Sequence, residues 1–472
     1  MNKTRQTLKY VLWDIFAALI AWAAFFLFRK VAIDNDRFHD VNQVFQDSNF
    51  WRGIIFLPVA WCCLYAIQGT YKNVYRKSRL KELEMTLTAS FLGVIVIFFA
   101  LLLDDHIASY HNYYLSFLML FVFHFGITYL GRLAITSHTA KRVHNRQIGF
   151  PTLLVGSGPK AFQTYLDLEN QAVYSGNLFK GFIQVNGHVD PRLPNVMPHL
   201  GTLADINTII EQYHIEEVIF AVEDCQNDKI NQTILLLDRR DDVLIKITPD
   251  LRDIIYGSVK NNSIFHSPLI TINPRPMEEW QYAVKRLLDI LISLIALILL
   301  SPVFLVTAAI VKFTSSGPVF YAQERIGYRG KPFKMHKFRS MYVDAEAAGP
   351  ALSKDDDPRI TPFGRIMRKY RLDEIPQFYN VLKGTMSIVG PRPERQYFID
   401  QIVQRAPEYL LLQKVKPGIT SWGQVKYGYA ENVDEMIERL RYDLLYLENM
   451  SLATDIKILL YTVIIIFQGR GK

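Results

Sequence analysis

The sequence predicts a membrane protein of mixed class: a four-helix transmembrane bundle over residues 1–146, a central Rossmann-like α/β domain over 147–262, and, after a linker over 263–280, a monotopic, α-rich C-terminal unit over 281–472 with a re-entrant membrane helix. Three observations predict it. Four apolar runs fill the first third, and Lys and Arg are shared unequally among their loops. From Gln147 the texture changes to strands alternating with helices. A fifth apolar run, near 287–311, has cations at both ends and Ser301-Pro302 in its middle. At roughly 150 residues per domain the length suggests about three units. Half of the residues are hydrophobic and 21% are charged, so a lipid-embedded part and a soluble part are both required.

The four runs are Tyr10 to Phe28, Gly53 to Ile67, Leu87 to Leu103 and Tyr113 to Leu130. With their flanks, each reaches the roughly 20 residues that cross a hydrocarbon core of about 30 Å. The loop between the second and third runs holds Lys72, Arg76, Lys77, Arg79 and Lys81, whereas "DDHIASYHNY" between the third and fourth holds no Lys or Arg. Positive loops stay in the cytoplasm, so both ends of the block face it. Lys3, Arg5 and Lys9 before the first run, and Arg132, Lys141 and Arg142 after the fourth, agree. The charge asymmetry disfavours the alternative, buried helices of a soluble bundle. "MNKTRQTLKY" leads into a long apolar run with no short h-region and cleavage site, which reads as a retained anchor. Cys62, Cys63 and Cys225 cannot build a disulfide framework or a C-x-x-C metal site, as expected of a cytoplasmic soluble part. The net charge of +8 comes without a basic arm, which argues against nucleic acid and for anionic lipid or phosphate.

In the middle of the chain, "PTLLVGSGPKAFQTYLDL" reads as strand, Gly-rich turn and amphipathic helix. "FKGFIQV", "EEVIFAV" and "VLIKITPD" read as further strands, with "TLADINTIIEQY" and "DKINQTILLLDRRD" as helices between them. This βαβ punctuation predicts a parallel sheet. Gly156 to Ala161 fits G-x-G-x-x-A, but a dinucleotide site needs an acid about 20 residues on, where this chain offers Gln184, Val185 and Asn186. A structural or regulatory turn is the favoured reading. Tyr256 and Lys260 have a Tyr-x-x-x-Lys spacing that we treat as accidental, because no substrate-binding portion comes after it. "HSPLITINPRPMEEW" then reads as a Pro-containing linker.

"KRLLDILISLIALILLSPVFLVTAAIVKF" is apolar enough to span. A straight crossing would move everything after Lys312 outside, yet Lys285 and Arg286 precede the run, Lys312 ends it, and the rest of the chain is basic. Proline removes a backbone donor and clashes with the preceding turn. Leu287 to Val311 is therefore expected to enter one leaflet, turn near Ser301 and Pro302, and return. A kinked but complete fifth span is the alternative.

The chemistry is expected on the C-terminal side of this hairpin. Lys334, Lys337, Arg339, Arg359, Arg365, Arg368, Lys369, Arg371, Arg392 and Arg395 form a cationic stretch with carboxylates set into it. Charge runs are usually solvated faces. Here, however, Asp373 and Glu374 are adjacent, so on a helix they stand about 100° apart and both can border one site. Such a pair can share a divalent cation and leave one carboxylate to attack. Pro376 forces the chain to begin or bend a helix at the carboxylates. Arg368, five residues before Asp373, and Arg392, on the stiff Gly390-Pro391-Arg392-Pro393 turn, suit bidentate capture of phosphate oxygens. Arg339 and Lys337 join them as candidate phosphate or substrate ligands. Asp355, Asp356 and Asp357 hint at a second metal site, but Asp357-Pro358-Arg359 reads better as the cap of a helix beginning near Thr361 and Pro362. "DIKILLYTVIIIFQGRGK" is apolar for too short a run to span and reads as an interfacial or docked helix.

"KRLLDILISLIALILLSPVF", "QERIGYRGKPFKMHKFRSM", "DPRITPFGRIMRKYRLDEIPQFYNVLKGTMSIVGPRP" and "KPGITSWGQV" resemble the successive motifs of the bacterial sugar transferases, the polyprenyl-phosphate hexose-1-phosphate transferases. The full layout resembles their large members, the undecaprenyl-phosphate glucose or galactose phosphotransferases that start exopolysaccharide, capsule or O-antigen synthesis. The resemblance implies transfer of a sugar 1-phosphate from a UDP-sugar to undecaprenyl phosphate at the bacterial inner membrane, with release of UMP. It implies a monotopic catalytic unit on the cytoplasmic face, with Asp373 as nucleophile and Glu374 as support for Mg2+ or for the geometry of the Asp. Arg368 and Arg392 fall on the family's arginines. Trp422, Gly423 and Gln424 match a motif often written Gly-Trp-Ala-Gln, with Ser421 and Gly423 as departures, so Gln424 is carried as a nucleoside contact. A carboxylate attacking a diphosphate meets two anionic groups, which cations must neutralise first. A covalent route also lets one site serve a soluble donor and a lipid acceptor in turn, so ping-pong kinetics are expected.

Two other functional classes compete with this reading. A nucleotide-sensing membrane regulator would bind NAD or UDP through Gly156 to Ala161. A membrane-bound nucleotide-sugar dehydratase or epimerase needs a complete fingerprint and a longer α/β domain, and neither is present. The sugar is left open, and so is the task of the Rossmann-like domain, with regulation, homodimer formation and spacing as its options.

Overall fold

The computed structural model describes residues 3–33, 42–102, 110–171, 174–185, 189–223, 228–238, 240, 242–248, 269–272, 276–347, 349, 351–352 and 357–468. Asn186, Cys225, Tyr256, Lys260, Asp355 and Asp356 lie outside these residues, as do 263–268 and 273–275 of the stretch read as a linker. The chain forms two compact units, Met1–Gly149 with Ala172–Gly176, and Phe150–Gln171 with Asn177–Lys472.

The first unit consists of α1 (Lys3–Ala32), α2 (Ser48–Ile67), α3 (Arg79–Ile97) and α4 (Tyr110–His144). All four are long and apolar enough to cross a membrane. Asp47 and Ser78 cap α2 and α3 by accepting hydrogen bonds from Asn49 N (2.9 Å) and Lys81 N (3.2 Å). Small residues let the helices approach under tryptophan rings: a Cβ on Gly53 would stand 2.1 Å from Trp22, and one on Gly93 2.3 Å from Trp61.

In the second unit, β1 (Phe150–Val155), β2 (Asn177–Gln184), β3 (His199–Thr202), β4 (Glu217–Phe220), β5 (Leu244–Ile247) and β6 (Ile270–Thr271) form one sheet in the order β3-β2-β1-β4-β5-β6. Every pairing is parallel except β5 with β6. The apolar runs of β1 and β4 are buried on both faces, between two separate hydrophobic clusters. The helices alternating with the strands are α5 (Pro159–Glu169), α6 (Ile206–Gln212) and α7 (Asp228–Leu237). The sequence pattern does not announce β3 or β6. Ile270–Thr271, inside the linker stretch, pairs with β5, and two residues carry too little alternation to signal an edge strand. At the turn after β1, Gly156 (φ 140°) needs its missing Cβ, which would meet Ala221 O at 2.2 Å.

The remainder of this unit opens with α8 (Glu279–Leu299) and α9 (Ser301–Thr314), bent by 62° at the break. Leu300 leaves helical geometry (φ −87°, ψ 2°), Ser301 Oγ donates back to Ile298 O at 2.8 Å, and Pro302 opens the second helix. The hairpin β7 (Phe320–Ile326) and β8 (Pro332–Phe338) is next. Then come α10 (Pro362–Lys369), α11 (Gln377–Lys383), the parallel pair β9 (Ser387–Val389) and β10 (Gly418–Thr420) with α12 (Gln396–Arg405) between them, α13 (Trp422–Lys426), α14 (Val433–Glu448) and α15 (Leu452–Phe467). The last helix is docked by Asp455, whose carboxylate accepts from Lys285 Nζ (2.5 Å) and Tyr446 Oη (2.7 Å).

The four long helices of the first unit converge on one buried guanidinium. Arg132, on α4, is fully buried. Its Nε and Nη2 donate to the two oxygens of Asp14 on α1 at 2.8 and 2.7 Å. Its Nη1 donates to Thr86 Oγ1 on α3 at 3.1 Å, and the planar group lies 3.9 Å from the centre of the Tyr65 ring on α2. Glu82 on α3 stands 3.6 Å from the same Nη1 and 2.9 Å from Lys77 Nζ. Removing one member of such a set leaves buried charge without compensation. Arg132→Met is expected to destabilise the bundle by about 3–5 kcal/mol. Unfolding of the full chain in detergent checks this, and a midpoint equal to wild type removes Arg132 as the keystone.

Candidate active site

The site is built on a turn. Thr361 Oγ1 accepts from Gly364 N at 3.0 Å and Pro362 occupies the first turn, which starts α10. The cap is therefore Thr361 and not Asp357. Asp357 is occupied locally, with Oδ1 accepting from Arg359 N (3.0 Å) and Nε (2.9 Å). Gly364 lets α10 lie against the end of the hairpin, since a Cβ there would sit 2.0 Å from Ser340 O. After α10 the chain reverses at Arg371, a non-glycine residue in the left-handed region (φ 56°, ψ 26°). Leu372–Glu374 then form a single 3₁₀ turn, Pro376 comes next, and α11 runs from Gln377 to its cap at Gly384 (φ 87°). Asp373 and Glu374 are thus presented at the junction of two short helices, only 6% and 4% exposed.

Their partners differ sharply. Glu374 Oε2 accepts from Arg371 Nε at 2.7 Å, and Oε1 accepts from Lys337 Nζ at 3.2 Å with Arg392 Nη1 at 3.5 Å. Asp373 has Lys337 Nζ at 4.0 Å. Burial raises the carboxyl of Asp373 above the ordinary aspartate range; Lys337, Arg368 and Arg371 oppose that rise without cancelling it, and the charge of Glu374 adds to it. Burial also pushes Glu374 upward, but Arg371, Lys337 and Arg392 together overcome it and hold this carboxyl far below the usual range.

Of the residues expected at the site, Asp373, Glu374, Lys337, Arg339, Arg368 and Arg392 all line one cavity of about 490 Å³. Arg392 projects from a rigid turn: Gly390 N donates to Thr420 O at 3.0 Å, Gly418 N donates to Pro391 O at 2.9 Å, and the guanidinium lies 5.1 Å from the centre of the Tyr429 ring. Arg368 Nε donates to Ser340 Oγ at 3.0 Å. Arg339 spends its guanidinium on the end of α9, donating to Ser316 O (2.7 Å), Ser315 O (2.9 Å) and Ser315 Oγ (2.7 Å). Ser301 and Pro302 sit at the helix bend. Gln424 does not line the cavity; its side-chain nitrogen and oxygen are buried without a hydrogen-bond partner among the described residues. Three groups were not expected as site residues, and two of them line the cavity. Arg371, outside the cavity lining, is the firmest partner of Glu374, and its place two residues before the dyad was the only signal. Tyr429, and Glu394 between Arg325 (2.9 Å) and Arg439 (2.7 Å), come from distant segments.

The family described as "Bacterial sugar transferase" matches residues 280–469. Over 181 residues the chain is 38% identical to the UDP-glucose:undecaprenyl-phosphate glucose-1-phosphate transferase of Caulobacter vibrioides, covering 38% of this chain and 68% of that relative. The chain belongs to the bacterial sugar transferase family. Other members of the family are similar over longer stretches. The UDP-N-acetylgalactosamine-undecaprenyl-phosphate N-acetylgalactosaminephosphotransferase of Aeromonas hydrophila is 39% identical over 221 residues, 47% of this chain and 52% of that one. The UDP-glucose:undecaprenyl-phosphate glucose-1-phosphate transferase of Klebsiella pneumoniae is 36% identical over 258 residues, 51% of this chain and 56% of that one. The chain spans about half the length of these two relatives.

Among the described residues, no three His, Cys, Asp or Glu side chains gather as a metal-binding set. Mg2+ is commonly held by one or two carboxylates together with substrate phosphates. Asp373, with no cation of the described residues within ordinary hydrogen-bond distance, fits such a shared arrangement. The opposite shifts of the two acids also give a direct test. Lys337 holds Asp373 down, so Lys337→Met is expected to move the Asp373 midpoint to higher pH, with the anion lost earlier as pH falls. Infrared titration of the carboxyl bands checks this, and a midpoint unchanged or lowered contradicts the assigned electrostatics.

Proposed function

We propose that this chain transfers a hexose 1-phosphate from a UDP-sugar to undecaprenyl phosphate, the first membrane step of exopolysaccharide, capsule or O-antigen synthesis. The observation that carries the reading is the division within the dyad. Glu374 is locked as an anion by three cations, whereas Asp373 is buried, more basic and less tightly held. A more basic carboxylate is the better nucleophile, and the environment has separated the two acids in the manner of paired catalytic groups. The names of the Aeromonas and Klebsiella relatives support undecaprenyl phosphate as acceptor and a UDP-sugar as donor.

In this mechanism an oxygen of Asp373 attacks the phosphorus that carries the sugar. The bond from that phosphorus to the bridging oxygen breaks, and UMP leaves with the electron pair. The sugar phosphate stays on the carboxylate. An oxygen of the lipid phosphate then attacks the same phosphorus, and the Asp373 carboxylate departs as the diphosphate link to the lipid forms. Arg392, Arg368 and Lys337 would bind the phosphate oxygens, and Glu374 holds Arg371, Lys337 and Arg392 in register. The guanidinium of Arg339 orients the end of α9, so its contribution is to positioning. Mg2+, when bound by Asp373, Glu374 and donor phosphates, would neutralise diphosphate charge. Gln424, outside the cavity, has weaker support as a nucleoside contact.

We read α8 and α9 as the re-entrant element. Leu287, Leu291, Leu294, Ile295, Ile298 and Leu299 are exposed on the first arm and Leu305 and Val306 on the second, as a hairpin in lipid requires. The catalytic unit would then lie on the cytoplasmic side of the bacterial inner membrane, where UDP-sugars are found. The sheet order and parallel pairing support a Rossmann-like domain. Glu223 argues against a dinucleotide there: its Oε1 accepts from Lys160 N at 3.0 Å, filling the start of α5 where a pyrophosphate would rest.

Three outcomes are expected. Asp373→Asn lowers UMP release from UDP-sugar by about 10⁴-fold or more, measured on the full chain in detergent with Mg2+, and near-normal release sinks the mechanism. Glu374→Gln costs about 10²–10³-fold, because three cations lose their anchor. An alkaline phosphatase reporter placed after Gly317 stays inactive, and strong periplasmic activity there overturns the re-entrant reading in favour of a fifth span.

A further inference from the structure

The catalytic cavity extends beyond the groups that handle phosphate. In the hairpin Tyr321 pairs with Lys337 and Gln323 with Met335, so Tyr321, Gln323 and Arg325 share the face that carries Lys337. On the opposite face, Phe320 and Phe338 pack against Phe304. A strand step of two residues is about 7 Å, which puts Gln323 that far along the wall from the residue opposite Lys337. The same cavity is lined there by Glu346 and Arg395.

These groups form a set around one carboxylate. Glu346 Oε1 accepts from Arg395 Nη1 at 2.8 Å and from Gln323 Nε2 at 3.1 Å. Among the described residues, its other oxygen, Oε2, has only the long contact from Tyr321 Oη at 3.5 Å, and the side chain is 37% exposed. Gln323 is itself oriented, because its Oε1 accepts from Arg325 Nη2 at 2.8 Å. The turn that bears Glu346 is pinned from behind by Arg359, whose Nη1 donates to Ala345 O at 3.3 Å. A carboxylate that only latched a loop would have no reason to hold one oxygen toward a cavity. A fixed acceptor beside guanidinium and amide donors suits hydroxyl groups, which donate and accept at once.

We infer that Glu346, oriented by Gln323 and Arg395, binds a pair of neighbouring hydroxyls on the donor substrate and helps select it. This rests on the transferase reading above. Two parts of a UDP-sugar carry such a pair, the hexose and the ribose, and both lie within reach of a phosphate held at Asp373. Glu346 would touch substrate, whereas Gln323 and Arg395 are positioning residues.

The test measures UMP release by the full chain in detergent with UDP-glucose, UDP-galactose, UDP-N-acetylglucosamine, UDP-N-acetylgalactosamine and the 2′-deoxyribose form of the best donor. Glu346→Gln is expected to lower kcat/KM for the best donor by about tenfold or more, mainly through KM. If the hexose is read, differences among the four sugars shrink to about threefold or less. If the ribose is read, all four sugars lose alike, and the 2′-deoxy donor is insensitive to the change. Glu346→Asp, which keeps the charge but withdraws the carboxylate by one methylene, should show a smaller loss of the same pattern and guards against misfolding of the first variant. Unchanged kinetics on every donor, or an equal loss on every donor including the 2′-deoxy form, overturns the assignment of Glu346 alone. A wild-type chain that releases UMP from none of them overturns the transferase reading and this inference together.

Discussion

Two carboxylates on consecutive residues cannot both be buried as anions unless positive charge is brought in with them, and the rest of the C-terminal part of the chain is arranged around that constraint. Desolvation alone pushes both acids towards their neutral forms, and each anion pushes the other the same way. The compensation arrives unevenly. Arg371, Lys337 and Arg392 all converge on Glu374, whereas Asp373 shares Lys337 only at 4.0 Å. One acid becomes a permanent counter-ion, and the other keeps a basic carboxylate facing the cavity. Because Arg371 comes from the turn, Lys337 from the hairpin and Arg392 from the Gly-Pro-Arg-Pro turn, the asymmetry requires three separate segments to be in place at once.

The backbone accepts strain to achieve this. Arg371 is an arginine in the left-handed region, which costs on the order of 1–3 kcal/mol and persists only where surroundings over-determine it. Here the same side chain donates to Glu374 Oε2 and to Ile419 O, so the conformation that is unfavourable locally is the one that closes the ion pair and touches β10. Gly364 and Gly390 have a different task, close approach. Their missing Cβ atoms let α10 lie on the carbonyl of Ser340 and the Arg392 turn lie on that of Lys416.

Much of this was legible in the chain, and the failures have physical reasons. The four long apolar runs and the alternating strands carry strong periodic signals, and they correspond to the four helices and to β1, β2, β4 and β5. The short strands β3 and β6 carry almost no pattern. Asp373, Glu374, Lys337, Arg339, Arg368 and Arg392 stand out by charge and turn chemistry, and the structure brings them to one cavity. Which cation serves which acid was not legible, because it depends on the left-handed turn at Arg371 and on how a hairpin 37 residues upstream, counted from Lys337 to Glu374, lies across it. Asp357 mimics a helix cap because an Asp-Pro-Arg run also favours a local turn in which the carboxylate takes the arginine's own amide. The donors and acceptors of Glu346, Gln323 and Arg395 come from three segments, and composition does not join them.

Lys285 and Arg286 show how one pair of residues can serve two purposes. As a sequence they are flanking charges that argue for a cytoplasmic start to the apolar hairpin. In the fold Lys285 Nζ donates to Val389 O at 2.9 Å and pairs with Asp455, while Arg286 donates to Val381 O (2.7 Å) and Leu382 O (2.8 Å) at the end of α11. Those two carbonyls belong to the last turn of a helix, where backbone donors run short, and Val381 O also accepts from the cap amide of Gly384 at 2.9 Å. The helix they close is the one that begins just after the dyad. Further along, Asp289 accepts from Ser387 Oγ (3.1 Å) and Ile388 N (3.0 Å), fixing the start of the strand that leads to Arg392. At the other end of the bent pair, Arg339 clamps Ser315 and Ser316, and Val311 packs with Phe338, Met367 and Ile375 behind the dyad turn. Both arms of the apolar element are therefore bolted to the segments that hold Asp373 and Arg392. If that element sets the depth of the unit in a bilayer, the same contacts set the height of the carboxylate above the lipid, which is the distance that the proposed lipid phosphate acceptor would have to bridge.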